Sequence, residues 1–366
     1  MAEPLATTTR DLLALHLVPG LGPRLTAALL SRFGTAAGVL RATAGQLQEV
    51  PHIGAKIAND FCQAMRRVDV DAELEWMARE RVRLLVNGSA DFPQALETIP
   101  DPPHLLYIRG TLEPRDRRAI AVVGSRHCTN YGRKIAERLS SDLARAGFTV
   151  ISGLARGIDG VCHRGALKAG GRTLAVLAGG LSKIYPPEHA DLAREVEAAG
   201  ALLTEAPMGM EPMAGMFPAR NRLISGLSRG VVIIEAAERS GALITASHAA
   251  EQGKPVFAVP GPMDSPASAG THQLLRKGAI LIRGVEDILE ELEGIAAATA
   301  PKAVEPLPEM DGVERRIWDF VQGRPRHLDE MVQQLGLAVP QISGVLLTME
   351  MKRLVRRLPG NQYERR

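Results

Sequence analysis

The sequence predicts an α/β protein: a Rossmann-like, doubly wound and mainly parallel sheet, with a helical module before it and a winged helix after it. Three observations predict this fold. Short apolar runs alternate with helical patterns through the middle of the chain. Two glycine hairpins join short helices near the N-terminus, and three helical segments followed by a hairpin end the chain. Strands separated by helices are typical of a parallel sheet covered on both faces.

Residues 1–68 are predicted to form a compact SAM-like, helix-hairpin-helix module. The segments Leu17–Leu25 and Val50–Ile57 each place a glycine hairpin between apolar helical stretches. This repeated pattern resembles the helix-hairpin-helix motif, in which hairpin amides and a following basic residue meet a DNA phosphate. Arg24 and Lys56 are the basic residues that follow the two hairpins. The alternative is that the glycines only permit tight turns between helices.

Residues 69–293 are predicted to form the Rossmann-like domain. Strands at 82–86 and 105–108 are expected to extend its sheet, because the segment that holds them is too short for a core of its own. The run Ala119–Val123 is entirely apolar, which suits a strand buried on both faces. The six main strands are expected at 119–123, 148–152, 173–178, 201–205, 231–235 and 255–259.

Residues 294–311 are rich in Ala and Pro, a composition typical of a linker, and residues 312–366 are predicted to form a winged helix. Its helices are expected at 313–321, 328–335 and 340–351, and its hairpin is expected to turn at Gly360-Asn361. Arg353, Arg356 and Arg357 give this domain a basic edge. Winged helices bind either DNA or proteins, so the sequence leaves its partner open.

The loops that follow the main strands combine small residues with cations. Ligands of such sheets bind outside the carboxyl ends of the strands, where these loops lie. Glycine turns let backbone amides approach an anion, and helix N-termini add positive charge. The sequence therefore predicts a phosphate site, against the alternative that the glycines only reverse the chain. The residues predicted to contact phosphate or DNA are Gly124, Ser125, Arg126, Ser152, Gly153, Arg156, Gly157, Lys183, Phe217, Arg220, Asn221 and Arg222.

Composition limits the functional classes. The net charge is only +3, so nucleic-acid binding must depend on local clusters of cations. Aromatic residues make up 4% of the chain, too few for a long series of base-stacking platforms. Tyr185 and Phe217 are expected either to stack a base or to pack their own loops. The three cysteines lack zinc spacing and indicate reduced thiols in a cytoplasmic protein, and no signal peptide or membrane span is expected.

No catalytic residue, metal or cofactor is predicted. Asp159 follows a glycine turn, and it is expected to cap the helix that begins at Gly160 rather than to act as a base. His163 and His189 lie in different loops, and no third ligand has metal-binding spacing with either of them.

The motifs VGSR, SGLARGID, GGLSKIYPPEH, FPARNRLISGLS, SGALITA and AVPG occur in this order. Together they resemble the DNA-processing protein A family, over about residues 75–290. The resemblance implies a bacterial cytoplasmic protein that binds single-stranded DNA and loads the RecA recombinase onto it in natural transformation. It also implies a homodimer through the Rossmann-like domain and no enzymatic activity. By the same resemblance Arg126, the Ser152–Asp159 turn, Lys183 and Arg220–Arg222 would line a phosphate groove, although Ser182 stands where the family has Asp.

The rival hypothesis is an enzyme: a nucleotide-phosphate-binding hydrolase of the phosphoribohydrolase type. Those enzymes resemble one another through a PGGxGTxxE motif, whose Glu supports cleavage of the glycosidic bond. Neither Val259–Met263 nor Ala178–Leu181 continues to a matching Glu in this chain. A dinucleotide-binding dehydrogenase is excluded, because GxGxxG spacing is absent after the first main strand and no ribose-binding acid follows.

Overall fold

The computed structural model describes residues 6–299, 310–322, 324–352 and 354–365. The chain divides into two compact units, Met1–Glu293 and Gly294–Arg366. Most of the predicted linker at 294–311 lies outside the described residues, as does Arg353. The part of that linker which the structure does describe differs from the prediction, because residues up to Thr299 continue a helix that begins at Val285.

The N-terminal module consists of five short helices around a core of its own that contains Leu29, Val39 and Leu47. The helices are α1 (Thr7–His16), α2 (Pro23–Phe33), α3 (Ala36–Leu40), α4 (Ala44–Leu47) and α5 (Ala55–Met65). Both predicted hairpins occur, one between α1 and α2 and the other before α5. The Oγ1 atoms of Thr35 and Thr43 accept hydrogen bonds from the first turns of α3 and α4, which fixes where these two helices begin.

The first hairpin, residues 17–22, packs against the loops of the main sheet. At its start His16 Nε2 lies 2.5 Å from the carbonyl oxygen of Glu205, and after it Arg24 Nε lies 2.7 Å from Asp101 Oδ2. The second hairpin leaves Lys56 exposed to solvent. The two hairpins therefore differ: the first one docks the module onto the sheet, whereas the basic residue of the second is free to meet a ligand.

The first unit is built on a nine-stranded sheet in the order β1-β2-β6-β5-β4-β3-β7-β8-β9. Its strands are β1 (Arg83–Val86), β2 (Leu105–Gly110), β3 (Ala119–Val123), β4 (Thr149–Ser152), β5 (Thr173–Val176), β6 (Ala201–Thr204), β7 (Val231–Ile233), β8 (Val256–Ala258) and β9 (Ile280–Leu281). The six predicted main strands occur and are parallel. The predicted extension occurs as β1 and β2: β2 pairs with β6 and β1 pairs with β2, both in antiparallel orientation. The short edge strand β9 was not predicted.

Helices cover both faces of this sheet. They are α6 (Val70–Arg79), α7 (Gln94–Glu97), α8 (Asn130–Arg145), α9 (Ile158–Lys168), α10 (Ala190–Ala199), α11 (Met216–Leu227), α12 (Ala242–Glu251), α13 (Ala269–Arg276) and α14 (Val285–Thr299). All five residues of β3 are buried. Ala121 and Val123 pack on the face covered by α11 and α12, and Ile120 and Val122 pack on the face covered by α8 and α9. The apolar run therefore becomes a central strand because both of its faces are covered.

The strand order reverses between β3 and β7. From β3 the chain winds outward in one direction through β4, β5 and β6, and from β7 in the other through β8 and β9. In doubly wound sheets the two neighbouring loops at such a reversal diverge and leave a crevice outside the carboxyl ends of the strands. The loops that follow β3 and β7 are residues 124–129 and 234–241.

The second unit contains a winged helix. Its elements are α15 (Gly312–Phe320), β10 (Arg326–His327), α16 (Leu328–Leu335), α17 (Val339–Met351), β11 (Val355–Leu358) and β12 (Gln362–Arg365). The strands form a three-stranded sheet in the order β10-β12-β11. On the wing, Arg356 pairs with Glu364 and Arg357 with Asn361. Helix α17 contains neither Lys nor Arg.

No single helix among the described residues has the length and apolar composition to cross a membrane, although the pair α16 and α17, bent by 117°, passes that test jointly.

Candidate functional site

A groove of about 480 Å³ opens at the reversal of strand order between β3 and β7. Three segments form most of its lining: residues 124–127 after β3, residues 217–221 in the first turns of α11, and residues 237–245 around the start of α12. Ala155 and Asp159, from the loop after β4 and the start of α9, line it as well. This switch-point groove gathers Gly124, Ser125, Arg126, Phe217, Arg220 and Asn221 from the predicted site. The loops after β3 and β7 meet because these strands are neighbours, whereas Phe217, Arg220 and Asn221 reach the groove on α11, the helix that connects β6 to β7.

Cations and aromatic rings alternate at the mouth of the groove. The Arg126 guanidinium carbon lies 4.7 Å from the centre of the Phe217 ring. Phe217 meets Tyr185 edge-on, with ring centres 5.8 Å apart, and the Arg156 guanidinium carbon lies 5.6 Å from the Tyr185 ring. Of these four side chains only Phe217 is partly buried; the other three are exposed. The rim therefore holds two guanidinium groups, each lying over the ring of a neighbouring aromatic side chain.

Arg220 forms part of the floor of the groove. Its Nη1 donates to the carbonyl oxygens of Gly153, at 2.8 Å, and of Val176, and its Nε donates to Asn221 Oδ1 at 3.2 Å. Burial lowers the pKa of Arg220 to about 10, and the nearby Asp159 carboxylate opposes this shift. At neutral pH the side chain therefore stays charged, with its planar group fixed between two strand ends.

In the turn at residues 152–159, Ala155 and Asp159 line the groove, whereas Ser152 and Gly153 serve the fold. Ser152 Oγ donates to Val122 O at 2.7 Å, and the amide of Gly153 donates to Asp159 Oδ2 at 3.1 Å. A side chain at Gly153 would come within 2.5 Å of the Arg220 guanidinium. The expectation that Ser152 and Gly153 line the groove is wrong in geometry, because both are buried beneath Arg220 and their polar groups are already used.

Gly157 and Asp159 are explained by the contact between two loops. Gly157 has φ of +75°, and a side chain there would overlap the carbonyl oxygens of Ser125 and Arg126. Helix α9 begins at Ile158, so Asp159 lies in its first turn and does not cap it as expected. Its carboxylate instead accepts from the loop amides of Gly153 and Ala155, the latter at 3.4 Å. Burial raises the pKa of Asp159.

The helix N-termini near the groove differ in what they hold. At the start of α8 the Thr129 amide and Oγ1 both donate to the buried carboxylate of Glu235, at 2.8 and 2.5 Å. That end is therefore closed to a phosphate. At the start of α12 the Ala242 amide makes only a 3.3 Å contact with Ser240 Oγ, and no carboxylate is bound there among the described side chains. Of these two helices, α12 is therefore the one whose N-terminus holds no carboxylate, and its Ala242 lines the groove.

Two predicted cations, Arg156 at the rim and Lys183, do not line the groove itself but remain at the surface. Arg156 is ion-paired to Glu188, with Nε–Oε1 at 2.5 Å, and Lys183 is ion-paired to Glu211 at 2.8 Å. Their side chains are 48% and 41% exposed. Exposed pairs of this kind are worth about 0–1 kcal/mol, so a phosphate can exchange for the carboxylate at little cost.

Arg222 does not lie in the groove, which corrects the prediction. Its Nη2 donates to both carboxylate oxygens of Glu205 at 2.7 Å, on the side of α11 that faces the N-terminal module. The Arg222 side chain is only 8% exposed. Successive residues of an α-helix turn by about 100°, so Arg220 and Arg222 point in nearly opposite directions.

Arg239 and His127 line the groove and were not predicted. Both are exposed. Arg239 immediately precedes the Ser240–Ala246 motif and follows β7, so its position after a strand was a usable signal. His127 gives no such signal, because nothing in the sequence distinguishes it from any other polar loop residue.

Other side chains that could act as a base, a nucleophile or a metal ligand are buried and serve the fold instead. His163 Nδ1 lies 2.7 Å from Thr173 Oγ1, and burial lowers the pKa of His163 to about 3. Burial raises the pKa of the Cys128 and Cys162 thiols, so both stay protonated at neutral pH. Across the described residues no group of three His, Cys, Asp or Glu side chains could hold a metal ion.

Three family models match the chain. Residues 83–293 match DNA recombination-mediator protein A, residues 300–361 match the DprA winged helix domain, and residues 10–66 match a SAM-like helix-hairpin-helix tandem. The chain is 33% identical to Protein Smf of Synechocystis over 389 residues, which cover 97% of this chain and 98% of that protein.

Two solved structures are also similar. DNA processing protein A from Streptococcus pneumoniae is 33% identical with a TM-score of 0.68, covering 78% of this chain and 99% of that one. The protein of the same name from Helicobacter pylori, whose structure was described for its single-stranded DNA binding mode, is 31% identical with a TM-score of 0.53, covering 59% and 97%. Family models, a full-length relative and the shared fold all agree. The chain therefore belongs to the DNA recombination-mediator protein A family, the DNA-processing protein A family that its motifs resemble.

Proposed function

We propose that this protein binds single-stranded DNA, with the phosphate backbone in the switch-point groove and bases at its rim. The observation that carries the proposal is the Arg126 guanidinium stacked on Phe217 at 4.7 Å, since it places a phosphate-binding group and a base-stacking ring at one point. Arg239 and the open end of α12 line the same groove. The Helicobacter pylori relative, which binds single-stranded DNA, supports the assignment.

The groove favours single strands over duplex. Its stacking surfaces are the Phe217 and Tyr185 rings, which a base reaches only when it is unpaired. Within the part of the first unit that the structure describes, no helix projects from the groove to enter a major groove of DNA. Sequence preference should therefore be weak.

Fluorescence anisotropy with a labelled single strand and a duplex of equal length, across a salt series, tests this proposal. Single strands should bind more tightly, and the logarithm of the binding constant should fall with the logarithm of salt by roughly 0.7 per phosphate neutralised. Equal affinity for the two forms would argue against it.

We further propose that the protein is cytoplasmic and loads the RecA recombinase onto single-stranded DNA during natural transformation, acting as a homodimer through the Rossmann-like domain. Family membership supports the RecA step. The dimer is supported by β9, which ends the sheet and leaves Leu281 49% exposed. Sedimentation of wild type and Leu281→Asp tests the dimer: a monomeric variant is expected. Purified RecA, with DNA pre-coated by single-strand binding protein, tests the loading step through the lag before RecA filaments form.

We propose that the protein is not an enzyme. Two carboxylates lie at or beside the groove, and both are committed to the fold. Asp159 lines the groove, but it is 6% exposed and accepts from the amides of Gly153 and Ala155. Glu235 accepts through both oxygens from Thr129 and is 2% exposed. Incubation with AMP and chromatographic detection of free adenine tests the phosphoribohydrolase alternative, and no release above a buffer control is expected.

A further inference from the structure

A second cavity, of about 640 Å³, lies at the end of the sheet opposite to the switch-point groove. Its lining includes Arg83 at the start of β1, residues 112–117 before β3 and residues 227–229 before β7. Residues 112–117 and 227–229 precede the parallel strands β3 and β7, so the cavity opens at the amino ends of these strands. The switch-point groove, in contrast, lies at the carboxyl ends. We name the second cavity the amino-end cavity.

The floor of the amino-end cavity is apolar. Leu85, Phe92, Leu174 and Leu227 reach it from the main hydrophobic core, and Leu112 forms a half-buried wall. Phe92 is only 5% exposed, so its ring has no open face on which a nucleotide base could stack. The floor therefore suits an aliphatic or edge-on aromatic side chain rather than a nucleobase.

The rim of the cavity is positive. Arg83, Arg117 and Arg229 are all exposed around it. In the ranges that the structure describes, neither Arg117 nor Arg229 has an acidic partner, and Arg83 reaches Asp91 only at 3.9 Å.

Two of the three acids that line the cavity, Glu113 and Asp116, are ion-paired with the buried Arg172, whereas the third, Asp91, is exposed and faces Arg83. Arg172 Nε lies 2.7 Å from Asp116 and its Nη1 lies 3.0 Å from Glu113, and Arg172 is only 6% exposed. Glu113 also pairs with Arg115 at 2.6 Å. The uncompensated charges left to meet a ligand are therefore those of Arg117 and Arg229, while Arg83 shares its charge with Asp91 at 3.9 Å.

We propose that the amino-end cavity binds an acidic peptide segment of a partner protein, with one bulky apolar side chain in the cavity and flanking carboxylates on Arg83, Arg117 and Arg229. Paired carboxylates match the planar fork of arginine. Strand β1 ends the sheet on this side and, among the described strands, pairs only with β2, so an extended peptide has a free strand edge to follow. A volume of this size exceeds one side chain and accommodates the adjoining backbone.

The location makes this site independent of DNA. The two sites share no lining residue and lie at opposite ends of the same strands. A partner held at the amino-end cavity therefore leaves the switch-point groove open, and both ligands can be bound at once.

The test uses the full-length protein and a fluorescein-labelled octapeptide in which one leucine is flanked by aspartates. Its anisotropy should rise on saturable binding, and Arg117→Glu/Arg229→Glu should weaken that binding at least about tenfold, since each lost charge-assisted contact costs roughly that much. Ala95→Trp, which fills the cavity from α7 without a change of charge, should weaken it as well. Arg66→Glu/Arg67→Glu, the same charge change on exposed residues of the N-terminal module, should leave it unchanged.

Two further peptides and a competition complete the design. Replacing the leucine by glycine, or the aspartates by lysines, should abolish binding, and excess single-stranded oligonucleotide should not displace the peptide. Arg117→Glu/Arg229→Glu should bind single-stranded DNA as wild type does, which also shows that it is folded. The proposal is overturned if the peptide shows no saturable binding, if the cavity variants bind it as wild type does, or if the oligonucleotide displaces it.

Discussion

Replacing Arg126 with alanine tests whether this residue serves DNA binding or the fold. Its side chain is exposed, and the structure gives it no ion pair among the described residues; its one ring contact is with Phe217. An exposed cation–π contact is worth about 0.5–1 kcal/mol. In a domain of this size about 1 kcal/mol shifts Tm by roughly 2–4 °C, so Arg126→Ala should melt no more than about 4 °C below wild type.

The effect on DNA binding should be much larger. A charge-assisted contact with phosphate contributes about 1.5–3 kcal/mol, which corresponds to a loss of roughly ten- to a hundredfold in affinity. Arg126→Lys keeps the charge but loses the planar fork and the stacking, so its affinity for DNA should lie between those of wild type and Arg126→Ala. The assay is anisotropy of a labelled single-stranded oligonucleotide at fixed salt, because salt alone changes such affinities.

Arg24→Ala is the matched control, since it removes an exposed arginine that pairs with Asp101 outside the groove. It should reduce affinity less than Arg126→Ala does. The reasoning is refuted if Arg126→Ala binds DNA as wild type does while its Tm falls by many degrees, because Arg126 would then belong to the scaffold.

Three further predictions concern the rest of the chain. A chain that ends near Ala303, outside the described residues, should stay folded and bind single-stranded DNA, because every groove residue lies in the unit Met1–Glu293; folded protein without DNA binding would contradict this. Arg222→Ala should lower the free energy of unfolding in urea by about 1.5–3 kcal/mol, because it leaves the partly buried Glu205 carboxylate without its charged partner; a loss under about 1 kcal/mol would show that the pair is unimportant. Burial holds the pKa of His163 near 3, below its ordinary value of 6.5. Between these two pKa values His163 is protonated in the unfolded chain but not in the folded one, so stability is lost as pH falls below about 6.5. The free energy of unfolding, measured by denaturant titration at pH 7 and pH 4, should fall less between these pH values for His163→Asn than for wild type. An equal fall in the two proteins would exclude His163 as the origin of the pH dependence.

The sheet could be predicted because its signals are local. Each main strand is a run of apolar residues bounded by turn residues, and each predicted start lies within one residue of the observed one. Strand β9 escaped prediction because Ile280–Leu281 is too short to carry a pattern, and its pairing with β8 is a tertiary contact. The continuation of α14 to Thr299 escaped because an Ala-rich segment suits both a linker and a helix.

The site was predicted in part. The positions of its loops after strands place Arg126, Phe217 and Arg220 together, and that much follows from topology. Helical periodicity separates Arg220 from Arg222, but it does not say which of the two faces the groove. Sequence patterns also do not show which amides are already used. The closure of the 152–159 turn by Asp159, and of the start of α8 by Glu235, depends on contacts that only the folded chain makes.

The stack of Arg126 on Phe217 also has a consequence for release of DNA. In the free protein the guanidinium already covers the ring, so no large apolar face is presented to water and non-specific adhesion is limited. A base that stacks on Phe217 must displace this guanidinium, which stays tethered beside the ring at high local concentration. Each base contact is then an exchange between two competitors rather than the filling of an empty place. Such exchange shortens the residence time of each nucleotide, which suits the transfer of DNA to a recombinase proposed above.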